Sequence, residues 1–418
     1  MATDGLRTWL VAWERDPGAR TRLALARSSD GGRAWQVSTW PRIPAEGQGH
    51  GEPVLRFGNG TWLMAWSSDD PMADRVDGTL GSDRDLLFSR STDGGLGWSR
   101  TAALNANAGF DWGDDGAPRL ATDGAGTWLA VWRSVDSLGN TVGGDSDLFF
   151  SRSVDDGVSW SAPRPLVESF TRDRGFDVEP SLAYADGVWV VAWSSDEGLG
   201  DDVARDRDVL YTRSTDAGRT WTAPRRIASN GAEDDRGDYD PVVVSDGRGT
   251  WLCVYSSADT QRGSLGWDRD LMIVRSTDGG DSWSGPRALD VRASGDAGDD
   301  GRPTLAVDSS GRWIVAWESW DTLGGTLGGD ADVLTMHSAD GGLTWSPALP
   351  VEPAAASDRG ADRAPALAAD GAGRWLLVWS STDPRGDLYG IDGDVLVTAA
   401  EWDVRPRPRP DAGPRGLR

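Results

Sequence analysis

The 418-residue sequence predicts an all-β fold, a single β-propeller of four-stranded blades, and three observations predict it. The pattern Ser-x-Asp-x-Gly-x-x-Trp recurs six times, at Ser28–Trp35, Ser91–Trp98, Ser153–Trp160, Ser214–Trp221, Ser276–Trp283 and Ser338–Trp345. A second motif, Trp-Leu-Val-Ala-Trp and its variants, begins at Trp9, Trp62, Trp128, Trp189, Trp251, Trp313 and Trp375, with spacings of 53, 66, 61, 62, 62 and 62 residues. No segment sustains a helical period. Seven strand motifs against six boxes predict seven blades, with six as the alternative. The repeats span about 1–46, 47–108, 109–170, 171–232, 233–295, 296–356 and 357–404.

The unit from 109 to 170 shows the elements in order. Pro118-Arg119-Leu120-Ala121-Thr122 is a short run closed by the turn signal Asp123-Gly124. Trp128-Leu129-Ala130-Val131-Trp132 alternates large residues with the period of a strand. A polar loop leads to Asp147-Leu148-Phe149-Phe150-Ser151-Arg152, an aromatic third strand. Asp155-Asp156-Gly157 then turns the chain into a fourth strand that starts at Trp160 and ends near Val167. On this pattern the first unit lacks its first strand and the last lacks its fourth. The Arg-Pro run after Val404 predicts an extended, disordered tail over 405–418.

The formal net charge is −24, and all 42 basic residues are arginine. That balance disfavours nucleic acid and anionic membranes as partners. No apolar run approaches the length of a membrane span, and the expectation is a monomer. The one cysteine, Cys253, falls inside a strand and reads as a core residue, and two histidines, His50 and His337, are too few for a histidine metal site. No signal peptide is visible. Met1-Ala2-Thr3-Asp4-Gly5 reads as the interior of a repeat, so the start is expected to be truncated. Of the 24 tryptophans, all but Trp40, Trp112, Trp267, Trp320 and Trp402 belong to the two motifs and are expected in the core.

In a four-stranded blade, the loops between strands 2 and 3 and those between blades share one end. There the sequence repeats Asp-x-Asp, at Asp83/Asp85, Asp145/Asp147, Asp206/Asp208, Asp268/Asp270, Asp330/Asp332 and Asp392/Asp394. It also repeats an acid three residues before the strand-1 proline, at Asp115, Asp177, Asp238, Asp300 and Asp362, with His50 in the corresponding place of the second repeat. Carboxylates this dense, within a Debye length of about 8 Å, need counter-charge. Interleaved arginines such as Arg84, Arg207 and Arg269 could supply it. Alternatively Asp145, Asp147, Asp206, Asp208, Asp330, Asp332, Asp392 and Asp394 are candidate ligands for Ca²⁺, which takes 6–8 hard oxygens. Departures from the repeat mark candidate ligand-binding residues: His50, Glu52, Trp112, Trp267, Arg302, Glu318, Trp320 and Arg363. Acids and aromatics together suit a carbohydrate or a protein partner.

Ser-x-Asp-x-Gly-x-x-Trp is the Asp box, and the chain resembles the Asp-box β-propellers, or BNR-repeat proteins, whose best-known members are sialidases. The resemblance covers essentially residues 1–404. It implies that Asp30, Asp93, Asp155, Asp216, Asp278 and Asp340 are structural, on the strand 3–4 turns at the end opposite an active site, and that the protein is secreted or at the cell surface. The sialidase activity it implies would need an Arg-Ile-Pro motif before the first box, an arginine triad, an acid/base Asp and a Tyr–Glu pair. Here Arg42-Ile43-Pro44 follows the first box, in the place of a fourth strand. Tyr239, with Glu233 upstream, is a candidate nucleophile, and Asp115, Glu179 and Asp300 are candidate catalytic carboxylates. Two readings follow: a noncatalytic binding module using its acidic loop end, or a glycoside hydrolase. A third is a structural, calcium-stabilised extracellular module.

Overall fold

The computed structural model describes all residues except 16–20, 41–48, 70–79, 82, 168–174, 200–205, 229–235, 262, 264, 296, 354, 358, 372, 384–393, 402–414 and 418. The described chain is all-β: 28 strands form seven four-stranded antiparallel sheets, each an up-and-down meander. The fold class is the β-propeller, with seven blades rather than six. Among the described residues no helix is long and apolar enough to cross a membrane.

Two of these strands were not legible in the repeat. Ala2–Thr3 pairs with Trp9–Arg15 and completes blade 1; Arg415–Leu417 pairs with Asp394–Glu401 and completes blade 7. Both terminal blades therefore have four strands, not the three that the motif count gave. A strand of two or three residues has no alternation of its own to read, and only the ladder on its neighbour defines it. Within the expected disordered tail, residues 415–417 are strand, and 405–414 and 418 lie outside the described residues.

The chain divides into two compact units, residues 1–199 with 210–225, and 200–209 with 226–418. In the first, cores form between successive blades. Leu10 and Leu25 of blade 1 pack with Trp62, Met64 and Trp66 of blade 2; Leu63 and Phe88 of blade 2 pack with Trp128 and Trp132 of blade 3; Leu129 and Phe150 of blade 3 pack with Trp189 and Trp193 of blade 4. In the second unit Leu252 and Ile273 meet Trp313 and Trp317, and Ala316 and Val333 meet Trp379. Each fully buried tryptophan contributes on the order of 2–3 kcal/mol. The strand motif is thus the glue between blades.

The boxes close the third-to-fourth strand turns of blades 1–6 in the same way. In the first, Ser28 Oγ donates to Asp30 Oδ1 at 2.8 Å, and the same oxygen accepts from the Arg33 and Ala34 amides. The box glycines, from Gly32 (φ 83°) to Gly342 (φ 80°), all take the left-handed conformation. Box turns also tie blades together. The arginine before the box serine reaches the next blade's turn carbonyl: Arg27 Nε to Gly94 O, Arg90 Nε to Asp156 O, Arg152 Nε to Ala217 O and Arg275 Nε to Gly341 O. His337 takes this place before the last box, where the following blade carries no box.

Candidate functional site at the loop end of the blades

At the opposite end of each blade the recurrent acids have a backbone explanation. The first residue of strand 1 donates its N–H to the carbonyl between the two aspartates of the preceding blade. The pairs are Asp115 to Arg84, Asp177 to Ser146, Asp238 to Arg207, Asp300 to Arg269 and Asp362 to Ala331, each at 2.7 Å. The strand-1 aspartates are buried, as are Asp85, Asp147, Asp208, Asp270 and Asp332, which open the third strands. A serine ending strand 2 lies between them in register, as Ser134 lies between Asp115 and Asp147. Of the predicted calcium ligands, Asp208 is ion-paired with Arg226 at 2.7 Å. Asp392 and Glu233, like Arg42, Ile43 and Pro44, fall outside the described residues.

Two residues into strand 1 the register shifts by a β-bulge in blades 2–7. The bulge residue precedes proline and is left-handed in every case: Glu52 (φ 53°), Ala117 (51°), Glu179 (55°), Asp240 (52°), Arg302 (50°) and Ala364 (51°). None is glycine, so each carries a strain of about 1–3 kcal/mol. Carboxylates reward that geometry by capping the next bulge amide. Glu14 Oε1 accepts from Glu52 N at 2.7 Å, Glu52 Oε2 from Ala117 N at 2.7 Å, Asp240 Oδ2 from Arg302 N at 3.3 Å, and Glu318 Oε2 from Ala364 N at 3.4 Å.

In the second unit this arrangement gathers four of the residues singled out in the sequence, Arg302, Glu318, Trp320 and Arg363. Glu318 ion-pairs with Arg302 Nη1 at 3.6 Å and with Arg363 Nε at 3.8 Å. The Arg363 guanidinium lies 5.5 Å over the Trp320 ring, and Trp320 is 42% exposed. The guanidinium groups of Arg207 and Arg269 each lie 6.0 Å from the ring centre of Tyr239. Trp267, 78% exposed, carries Arg236 at 4.5 Å. Asp300 is buried at the start of its strand.

In the first unit Trp112 is 88% exposed beside the exposed Phe110, and His50 is buried at its strand start. Asp115 is also buried, with Oδ1 accepting from Trp132 Nε1 at 3.0 Å and Oδ2 from Asn105 Nδ2 at 2.7 Å. Asn105, which the sequence reading passed over, gives its second hydrogen to Asp85 Oδ1 at 3.0 Å, with Asp111 Oδ2 3.5 Å from the same nitrogen, while its own oxygen accepts from the Leu86 amide. One carboxylate oxygen from each of Asp83, Asp85 and Asp111 lies within 4.8 Å of the others. Burial, and then the neighbouring carboxylates, hold Asp85 and Asp111 up at about 7 against the bonds from Asn105. An asparagine two residues past a fourth strand was the available signal: the same place holds Ala228 in blade 4 and Asp290 in blade 5.

Comparison with known proteins agrees with this architecture. Residues 197–351 match the BNR repeat-like domain family. A xyloglucanase from a Paenibacillus species is 24% identical over 300 residues, 66% of this chain and 24% of that protein. A sialidase from Bacteroides fragilis (strain YCH46) is 27% identical over 202 residues, 41% of this chain and 35% of that protein. The chain thus matches only a quarter to a third of the length of these curated relatives. Among solved structures, the Hadza microbial sialidase Hz136 superposes with a TM-score of 0.50 at 17% identity, over 92% of this chain and 74% of that one. The chain is thus a β-propeller that carries six Asp boxes, and residues 197–351 of it are similar to the BNR repeat-like family.

Proposed function

We propose that the protein is a carbohydrate-binding propeller that uses the loop ends of blades 5–7, and that it acts outside the cell. The observation that carries this reading is the Arg302–Glu318–Arg363 ion-pair chain laid against the exposed ring of Trp320. An aromatic face beside fixed guanidinium and carboxylate groups offers a sugar both stacking and paired hydrogen bonds. Calorimetric titration with sialylated, uronate-bearing and neutral oligosaccharides tests it. Binding should weaken at least about tenfold, roughly 1.4 kcal/mol, in Trp320→Ala and Arg302→Ala. A chain that binds none of these sugars, or variants that bind as well as the parent, would exclude this patch.

A glycoside hydrolase is the second reading, and Tyr239 favours it, because the guanidinium groups of Arg207 and Arg269 over its ring could hold an anionic sugar beside a hydroxyl nucleophile. Turnover of a fluorogenic glycoside, lost in Tyr239→Phe while binding persists, would establish catalysis. Absence of turnover across sialosides, xylosides and glucosides leaves the binding module.

A further inference from the structure

We propose that blade 2 holds a calcium ion between Asp83, Asp85 and Asp111, with Asn105 as the residue that positions the carboxylates. Two observations carry this beyond a cluster of acids. First, Asp85 and Asp111 are 1% and 8% exposed, yet Asp85 Oδ2 and Asp111 Oδ1 accept no hydrogen bond. A buried carboxylate oxygen with no donor costs several kcal/mol unless a cation takes the lone pair. Second, the bonds that exist are arranged to leave those oxygens over. The two hydrogens of Asn105 Nδ2 go to Asp115 Oδ2 at 2.7 Å and to the other oxygen of Asp85, Oδ1, at 3.0 Å, with Asp111 Oδ2 at the edge of reach at 3.5 Å, and Asp115 has both of its oxygens satisfied.

In blades 4 and 5 an arginine supplies counter-charge at the corresponding places. Arg226 pairs with Asp208 in blade 4, and Arg292 pairs at 2.6 Å with Asp290, which stands where blade 2 has Asn105. Among the described residues no arginine pairs with Asp85 or Asp111. Asparagine can fix carboxylates without neutralising them, so the negative charge of this blade is left for a metal.

The donor set selects the ion. Three carboxylates and no histidine or cysteine make a hard, all-oxygen site. Ca²⁺ binds oxygen at about 2.3–2.6 Å in flexible geometry, so two ligands on opposite sides of it are about 5 Å apart, compatible with oxygens within 4.8 Å of one another. Mg²⁺ asks for a near-ideal octahedron and keeps much of its water.

The test uses the full chain after chelator treatment. Adding Ca²⁺ should raise the Tm by on the order of 2–4 °C, while Mg²⁺ at the same concentration should not. Terbium in place of calcium should luminesce under tryptophan excitation, because the Trp132 indole is hydrogen-bonded to Asp115 at the edge of the cluster. Asp111→Asn and Asp85→Asn should abolish both responses and raise the Tm of the metal-free protein, since each removes a buried charge. That increase separates loss of the site from loss of the fold. Asp208→Asn, in the arginine-balanced blade, should leave both responses intact. No calcium response in the parent chain, an equal response to magnesium, or a response that survives in Asp111→Asn overturns the proposal. The glycan-binding reading stands or falls separately, on residues of the other unit.

Discussion

The Glu52 carboxylate of blade 2 accepts the Ala117 backbone N–H of blade 3 at 2.7 Å, which makes a side chain of one blade the cap for a strained bulge in the next. The same oxygen accepts from Ser67 Oγ at 3.1 Å, so the reach is fixed at both ends. Glu14 does this for Glu52, Asp240 for Arg302 and Glu318 for Ala364. An acid chosen in the sequence as a candidate ligand contact is thus also a fastener.

Glu52→Ala should destabilise the protein by about 1–2 kcal/mol, the worth of a charge-assisted hydrogen bond reduced by the exposure of Glu52. Alanine retains the left-handed strain, so the loss reports the bond and not the backbone. Glu52→Gln keeps an accepting oxygen and should lose less than half as much. Urea denaturation of the three proteins measures it, provided the slope is unchanged.

Gly218→Ala should cost more than Gly187→Ala. Both glycines are left-handed, at φ 73° and 80°. A Cβ on Gly218 would meet Leu129 Cδ1 and Cδ2 at 2.8 Å, deep between blades 3 and 4, whereas a Cβ on Gly187 would meet nothing within 4 Å. Backbone strain alone accounts for about 1 kcal/mol at Gly187, and overpacking adds about 1–3 kcal/mol at Gly218. The difference between their thermal midpoints isolates the packing cost.

The boxes predict an acid limb to the stability profile. Burial pushes the Asp155 carboxyl up, but bonds from the Ser159 and Ser153 hydroxyls and nearby amides outweigh it and hold it at about 2; Asp216, Asp278 and Asp340 are also held at about 2. A carboxyl held below its ordinary value near 3.8 contributes stability above that pH and loses it as pH falls through 2. The Tm should therefore drop between pH 4 and pH 2, and the drop should be shallower in Asp155→Asn, whose Tm at pH 7 should already be lower.

Cys253 should be inert in the native protein. It is fully buried in a second strand, and burial pushes its thiol well up, so little thiolate forms. A thiol reagent at pH 8 should label it only after denaturant is added. Rapid labelling of the native chain would contradict the packing of blade 5.

The sequence by itself determined the repeat, the number of blades, the strand 3–4 position of the boxes and the exposure of Trp112, Trp267 and Trp320. These follow from local rules: alternation, turn chemistry, and aromatics that either fit the period of the fold or fall outside it. The tertiary structure alone decided the rest. Ala2–Thr3 and Arg415–Leu417 are strands only because a neighbouring edge pairs with them. The left-handed bulges are invisible in a sequence that writes them Glu, Ala, Glu, Asp, Arg and Ala, because the strain is offset through contacts with other blades. Asn105 gains its meaning the same way. It is one polar residue two positions past a two-residue strand until the fold brings Asp85, Asp111 and Asp115 around its amide. Whether an acid is a ligand, a fastener or the partner of an arginine depends on which atoms fill the few ångströms around it, and residues distant in sequence supply those atoms.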